Sequence, residues 1–272
     1  MIYLASGATD GEKPFALFDN LLAGGTFSGT GSLAASAAYA NVLGPQTFDF
    51  WQPVTTTGQW ICTLPAPVEM DCICFAAHNL AGLATSFSVQ TSVDLVAAYG
   101  TAYAFGPALL AETGSAALGA IIPTRTVQRL RFFAATGAAY APQIGIAFAG
   151  KRLIFPGDVQ PPYVPANEAL DVEFNANITL GGHFAGGTIT RQSIKQDVAF
   201  SPLARDFVQG DLVPFSKAYR EGRTFFFGGS PSYMPADLAY AWRADGAGEL
   251  RPAWLQGGRF ADVKMTVSGY GA

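Results

Sequence analysis

The stretch from Gly58 to Asp94 constrains the fold more than any other part of the chain. It reads GQWICTLPAPVEMDCICFAAHNLAGLATSFSVQTSVD. Trp60-Ile61-Cys62 is short, apolar and aromatic. Leu64-Pro65-Ala66-Pro67 interrupts it, because proline has no N–H to give to a strand ladder. Met70 to Ala77 is then almost continuously apolar. A run of that length, bounded by Pro-x-Pro and Asn79, predicts a strand covered on both faces. His78 to Gly82 reads as a turn. From Ser86 to Ser92 the pattern alternates, with Phe87, Val89 and Thr91 on one face and Ser86, Ser88, Gln90 and Ser92 on the other. That is the period of a half-buried antiparallel strand. Three strands in one meander predict a β-sandwich and name no function.

Composition bounds what such a sandwich does. Half of the 272 residues are apolar and only 13% are charged, about half the ~25% of ordinary globular proteins. A surface so poor in charge predicts cover by other subunits. The net charge of −4 gives no electrostatic basis for nucleic-acid binding. Met1 to Leu4 is apolar but too short for a secretory leader, and no apolar run free of turn signals reaches the ~18 residues of a membrane span. Three cysteines, Cys62, Cys72 and Cys74, argue against a disulfide framework. Cys72 and Cys74 fall on one strand face and read as small core residues.

In chain order, residues 1–45 are rich in Ala, Gly and Ser and read as an extended arm or loop region, with Phe15 to Leu22 as an apolar island. Phe48 to Pro53 is an aromatic cluster leading into the sandwich of residues 46–150. Leu109 to Ile122 is ambiguous between strand and helix. Val127 to Phe133 reads as a strand with Arg129 and Arg131 on one face, and Ala141 to Gly150 as another. Residues 151–165 hold Pro156, Pro161, Pro162 and Pro165 and read as a linker.

Residues 166–272 have a different texture. Leu170, Val172 and Phe174 alternate with Asp171, Glu173 and Asn175, and Thr188 to Phe200 reads as a bulged strand. Pro202 to Arg220 is the best helical pattern, with Phe207, Val208, Leu212, Phe215, Ala218 and Tyr219 at three-to-four spacing. Gly210 or Pro214 splits or restarts it, Asp211 is its expected N-cap, and Gly222 its expected C′ residue. Arg223 to Phe227, Leu238 to Arg243 and Phe260 to Gly269 follow as strands. The expected fold class is mainly β: an N-terminal jelly-roll sandwich plus a small C-terminal barrel or sandwich with one helix.

Chemistry-bearing motifs are scarce. His78 ends a buried strand and His183 sits in a Gly-rich turn, with no pairing that suits zinc. Asp171 and Glu173 share a strand face, which most simply reads as solvated. There is no G-x-S-x-G, phosphate loop or dinucleotide fingerprint, so neither catalysis nor a metal or cofactor is expected.

Two resemblances add to this reading. The order Gly58-Gln59-Trp60-Ile61, Met70 to Leu80, Phe87 to Asp94, Gln128 to Phe132 and Ile144 to Phe148 resembles the discoidin or galactose-binding-like jelly roll over residues 46–150. Members of that family bind sugars or lipids at loops on one end. The resemblance therefore implies ligand contacts at Trp51, His78, Asn79 and Arg125, with Trp51 as a stacking face for a host-surface glycan. The plainer reading of Trp51 is core packing beside Phe48 and Phe50. Arg125, Arg129 and Arg131 equally suit pairing with Asp94 or an interface with a neighbouring subunit.

Pro214 to Phe227, a helix running into Gly-Arg-Thr-Phe-Phe-Phe, is similar to a minor-tail motif of long-tailed phages, within the ring-forming domain of tail-tube and distal tail proteins. That resemblance implies a non-enzymatic virion component of the tail tip or baseplate. It would be assembled in the host cytoplasm, would form a homo-oligomeric ring and would dock other tail-tip proteins. Phe215, Tyr219, Arg223, Phe225 and Phe227 are its implied interface residues.

Overall fold

In a computed structural model the described residues are 1–30, 32–35, 37–81, 84–107, 110, 117–137 and 140–270. Their strands and helices in order are β1 (Ile2–Leu4), β2 (Phe15–Leu17), β3 (Thr26–Thr30), β4 (Thr57–His78), β5 (Ala84–Ser92), β6 (Gly100–Phe105), β7 (Leu118–Thr136), β8 (Ile144–Gly150), β9 (Leu153–Ile154), β10 (Leu170–Ile178), β11 (Phe184–Ala204), α1 (Arg205–Gln209), α2 (Leu212–Arg220), β12 (Phe225–Gly228), β13 (Leu238–Arg243), β14 (Ala253–Leu255) and β15 (Phe260–Tyr270). They form two sheets. One runs β3-β4-β7-β5-β6, with β1 on β7 and β8 on β4. The other runs β10-β11-β15-β13-β12-β2-β9, with β14 on β15. The protein is mainly β, with a jelly-roll-like sandwich in its first half.

The long strands β4 and β7 build both layers of the sandwich. The prolines the sequence places at 65 and 67 do not end β4; they bend it. Its ladder with β7 is broken between Thr63 and Val68, and again between Met70 and Cys72. Pro65 and Pro67 lie in the first gap, and Pro123 of β7 lies opposite the second. Unpaired residues at a bend let a strand cross from one layer to the next. Before the corner, β4 pairs with β3 and with the second half of β7. After it, β4 pairs with β8 and with the first half of β7. Phe75 beyond the corner meets Phe132 and Phe87 of the opposite layer edge-on, with centroids 5.0 and 4.9 Å apart. Trp60 stacks on Phe132 at 4.6 Å.

Burial along β4 follows from this geometry. Residues 57–64 alternate, whereas 70–78 are buried throughout. Ile73 and Phe75 point into the sandwich core. Cys72, Cys74 and Ala76 point the other way, into a core shared with Phe15, Leu17, Phe226, Leu238 and Tyr240 of the second sheet. The second half of β4 is therefore the middle of three layers. Its unbroken apolar run is what a strand with a core on each side requires. Phe87, Val89 and Thr91 are buried as expected, but so is Ser92 at the strand's end, whose hydroxyl donates to Asp94 O and Ala97 O.

Residues 1–45, expected as an arm, are instead bound into both sheets. β1 pairs with β7, and β3 with β4. Phe15–Leu17 is inserted between β12 and β9 of the second sheet, so the apolar island fills the core between the two halves. The proline-rich 151–165 segment is likewise pinned: Phe155 is buried and stacks on Phe200 at 4.1 Å.

The single expected helix is two. Gly210 breaks it, with φ −109° and ψ −89°, and the residues before Arg205 stay in β11. Asp211 stands before α2 but is itself helical and makes no side-chain cap. The other end matches its reading. Gly222 takes φ +71°, its N–H reaches the Tyr219 carbonyl, and the Arg223 N–H reaches Ala218, a Schellman closure. Of the stretch 109–122, described strand begins at Leu118; positions 109 and 111–116 lie outside the described residues.

Candidate functional site

Neither set of sequence-predicted residues forms a site. Trp51 is buried in the sandwich core and bridges backbone-to-backbone with Ile144. Its ring is sealed from any ligand, whereas Phe48, expected beside it in the core, is exposed. His78, at the end of β4, is buried too. Asn79 braces the turn: its Nδ2 donates to Ala141 O at 2.9 Å and its Oδ1 accepts the Gln143 N–H at 2.7 Å. Both groups are committed to structure. Arg125 pairs in register with Met70 at the bend. His78 pairs with Ile144 at the far end of β4, well beyond that bend, so Arg125 does not join the other three. Gly82 and Leu83 of the expected ligand turn lie outside the described residues.

Arg129 does meet Asp94, through the backbone. Its guanidinium donates to Asp94 O at 3.0 Å and to Ala97 O at 2.6 Å. The Asp94 carboxylate accepts the Ala97 and Val96 N–H groups at 2.5 and 2.7 Å. These two backbone bonds, Ala97 first, hold its carboxyl below the usual range. Arg131 donates to Gln90 Oε1, and both guanidiniums lie over the Tyr99 ring, at 4.8 and 4.3 Å. Thr26, Ser28, Gln59 and Thr63 occupy the same solvent-facing side of the sheet. The outer face of the sandwich thus carries hydroxyl, amide and guanidinium groups, with half-buried Ile61 and Phe133 among them.

Phe215, Tyr219, Phe225 and Phe227, implied as interface residues, are core. All four are fully buried. Phe215 meets Phe225 edge-on at 5.1 Å, and the Tyr219 hydroxyl donates to Thr266 O at 2.8 Å. The three-to-four spacing that identifies α2 is the spacing of a helix burying that face in its own chain. In the Phe225–Phe227 strand, the outer pair faces α2 and Phe226 faces the sandwich. Only Arg223 is exposed, paired with Glu221 at 2.8 Å.

The exposed apolar surface lies on the alternating stretch that begins at Leu170. β10 and β11 form a hairpin whose outer part runs clear of the core. Phe174 is 54% exposed, Ile178 67%, Phe184 67% and Ile189 56%. The register sets Phe174 opposite Ile189 and Ile178 opposite Phe184. With Val172 they make one apolar face continuous with buried Ile194. Phe174 lies over Gly187, where a Cβ would come within 2.1 Å of its ring. The hairpin turn is closed by Thr179, which donates its N–H to His183 O and accepts the His183 N–H on Oγ1. Asp171 and Glu173 do share a face, the opposite one. There they line an open cleft of about 360 Å³ with Ser193, Lys195, Asp245 and Ser268. Among the described residues no His, Cys, Asp and Glu side chains are grouped to hold a metal ion. The alternation at 170–175 was the available signal. It marks a strand with one covered face and does not say which chain supplies the cover.

No family model and no curated protein matches the chain. Among solved structures it is similar to chitosan-binding module 1 of a chitosanase/glucanase from Paenibacillus sp. IK-5, at 15% identity and TM-score 0.41 over 48% of this chain and 98% of that one. It is also similar to a pectin-binding carbohydrate-binding module, at 10% identity and TM-score 0.37 over 50% and 91% of the two chains. A third similarity is to a Ruminococcus gnavus GH29 fucosidase in complex with fucose, at 12% identity and TM-score 0.41. That match covers 50% of this chain and 27% of the fucosidase, so the chain spans about a quarter of that enzyme's length.

Proposed function

We propose that this chain is a structural subunit that assembles with copies of itself, gripping its neighbour through the β10–β11 hairpin. One observation carries the reading: an apolar face of Val172, Phe174, Ile178, Phe184 and Ile189 stands exposed on a two-stranded arm. An isolated hairpin is marginal in water, and an apolar patch of this kind on an open sheet edge marks a place where another chain docks. The low charge of the whole chain supports the same reading. The setting is the tail tip or baseplate of a long-tailed phage or phage-like particle, as the resemblance around Pro214–Phe227 implies. There a ring of such subunits docks other tail proteins, and the chain itself performs no catalysis.

Light scattering across a wide concentration range tests this. Oligomers are expected that dissociate when Phe174, Phe184 and Ile189 are replaced by Ser. A protein that stays monomeric at the highest concentrations, alone and with the other proteins of its particle, overturns it.

A second reading rests on a different surface. The outer sheet face around Gln59, Gln90, Arg131 and Tyr99 carries the hydroxyl, amide and guanidinium groups that hydrogen-bond sugar hydroxyls. In this reading the sandwich recognises a host-surface glycan. Binding on a glycan array that Gln59→Ala with Tyr99→Ala abolishes supports it; silence across the array from the folded protein removes it.

A further inference from the structure

We infer that the outer face of the sandwich selects an acidic glycan, one whose sugars carry carboxylates, and that Arg131, with Arg129 beside it, holds those carboxylates. The inference rests on the glycan reading of that face and names the class of sugar it takes.

Neutral acceptors hold both guanidiniums in place. Arg129 donates to the Asp94 and Ala97 carbonyls and, at 3.4 Å, to the Ser92 hydroxyl. Arg131 donates through Nε to Gln90 Oε1 at 2.7 Å, and its Nη2 donates to the same oxygen. Both guanidiniums also lie over the Tyr99 ring. These contacts fix where the guanidiniums sit and leave their charge standing. A guanidinium carries five N–H donors in one plane. The bonds above use Nε and Nη2, so among the described residues the Nη1 group of each arginine is open.

No counter-charge meets them. Elsewhere in the chain arginines pair with acids: Arg152 with Asp71, Arg223 with Glu221 and Arg251 with Glu249. Among the described residues no carboxylate pairs with Arg129 or Arg131 in this way. The strands of this face supply none, since residues 26–30, 57–63, 84–92, 100–105 and 129–136 hold no Asp or Glu. Asp94 is the acid near Arg129, and its carboxylate is taken by the Val96 and Ala97 N–H groups. Two like charges gathered about one ring repel each other, and an anion placed across them relieves that repulsion. The chain as a whole is anionic, at −4, so this local positive field sets the face apart from the rest of the surface.

Groups that suit a sugar surround the charges. Across the sheet Arg129 stands between Thr63 and Ser92, and Arg131 between Ile61 and Gln90. Thr26, Ser28, Gln59 and Ser88 lie in the neighbouring register positions. Hydroxyl and amide groups exchange hydrogen bonds with sugar hydroxyls, and half-buried Ile61 and Phe133 offer apolar ground to the C–H edges of a sugar ring. A planar carboxylate takes two parallel N–H groups from one guanidinium. The open Nη1 of Arg131, with the second proton of its Nη2, presents such a pair. A neutral glycan engages the hydroxyls and amides alone, whereas an acidic one also neutralises the guanidiniums.

The test uses the full chain on an array that prints uronic-acid oligosaccharides beside the same oligosaccharides with their carboxyls reduced to hydroxymethyl groups, together with neutral glycans. Wild type is expected to bind its best acidic glycan about tenfold more tightly than the reduced form, and added salt narrows the gap. Arg131→Gln keeps hydrogen-bonding groups and loses the charge, and is expected to bind both forms alike. Lys264→Gln, which removes an exposed cation of the other sheet, is expected to keep the preference. Circular dichroism and thermal unfolding check that both variants stay folded. Acidic and reduced forms bound equally by wild type, or a preference that survives in Arg131→Gln, overturn this inference and leave the glycan reading standing. Poly-glutamate that displaces the acidic glycan as well as the free oligosaccharide does, at equal carboxylate concentration, also overturns it, because charge alone then accounts for the binding. Silence across the whole array from the folded protein takes both down.

Discussion

The Arg152 guanidinium and the Asp71 carboxylate meet at 3.2 Å where their side chains are only 1% and 7% exposed. The Arg152 backbone N–H also donates to Asp71 at 2.9 Å, and its Nη2 reaches Thr9 O at 3.2 Å. The guanidinium lies 5.7 Å from the Phe15 ring. One residue thus ties β4 of the sandwich to the segment that inserts into the second sheet.

Removing one member of such a pair leaves the other charge buried without compensation, whereas removing both does not. Asp71→Leu is expected to lower the unfolding free energy by about 3–5 kcal/mol. Adding Arg152→Met recovers part of that loss. The backbone N–H of Arg152 still lacks its acceptor, so wild-type stability is not regained. Urea unfolding of the two single variants and the double variant measures this; additive losses would show that the pair is not coupled.

Phe215→Ala and Phe225→Ala separate a core role from an interface role. Each side chain is fully buried within the chain. Each truncation is expected to cost about 3–5 kcal/mol of stability, with loss of cooperative unfolding before any selective loss of association. Arg223→Ala, on the exposed end of the same motif, is expected to leave stability within about 0.5 kcal/mol of wild type. Denaturant midpoints check both expectations. A Phe225→Ala protein of unchanged stability that no longer assembles would return that residue to the interface.

These contrasts show what was legible in the sequence. Periodicity places Phe87, Val89 and Thr91 correctly because these inward residues are covered by strands near them in sequence, and misses only Ser92, which is buried at the strand's end. The unbroken run at Met70–Ala77 correctly signalled two covered faces, but not that the outer cover comes from residues as distant as Phe226 and Tyr240. Phe15–Leu17 stands out in the sequence only as part of an apolar island within an expected arm, since three residues carry no period, and its strand exists only through pairing with β12 and β9. For Trp51 the plainer reading of core packing holds, and the ligand contact that the family resemblance implies for it and for buried His78 does not, because a family pattern marks strand ends without saying which way their side chains face. The hairpin shows the limit most clearly. Val172 and Phe174 alternate as Phe87 and Val89 do, and only the three-dimensional structure reveals that one pair is covered and the other is not.

Asp237 carries a pH dependence of stability. It is buried, accepting the Tyr163 hydroxyl at 2.6 Å and the Ala166 N–H at 2.7 Å. Burial raises its carboxyl above the ordinary value, and those hydrogen bonds only partly pull it back. The folded protein therefore holds this proton at pH values where the unfolded chain has released it. Stability falls as pH rises from the ordinary carboxylate range, ~3.9, through the folded value. Asp237→Asn removes that component. The stability of wild type minus that of the variant is expected to decline over this window in urea titrations. Parallel curves for the two proteins would contradict it.

The hairpin face predicts a small effect on stability and a large one on association. Phe174, Phe184 and Ile189 are exposed in the isolated chain, so replacing them with Ser removes little burial on folding. The unfolding free energy is expected to shift by no more than about 1 kcal/mol, as for other surface changes. The same three side chains would be desolvated against a neighbour, where burying each is worth about 1.5–3 kcal/mol. Association is therefore expected to weaken by several orders of magnitude while the fold persists. Thermal unfolding of the monomer together with sedimentation velocity reads the two effects separately. Large destabilisation of the monomer would mean that the hairpin is covered by its own chain, and unchanged sedimentation would mean that copies meet elsewhere.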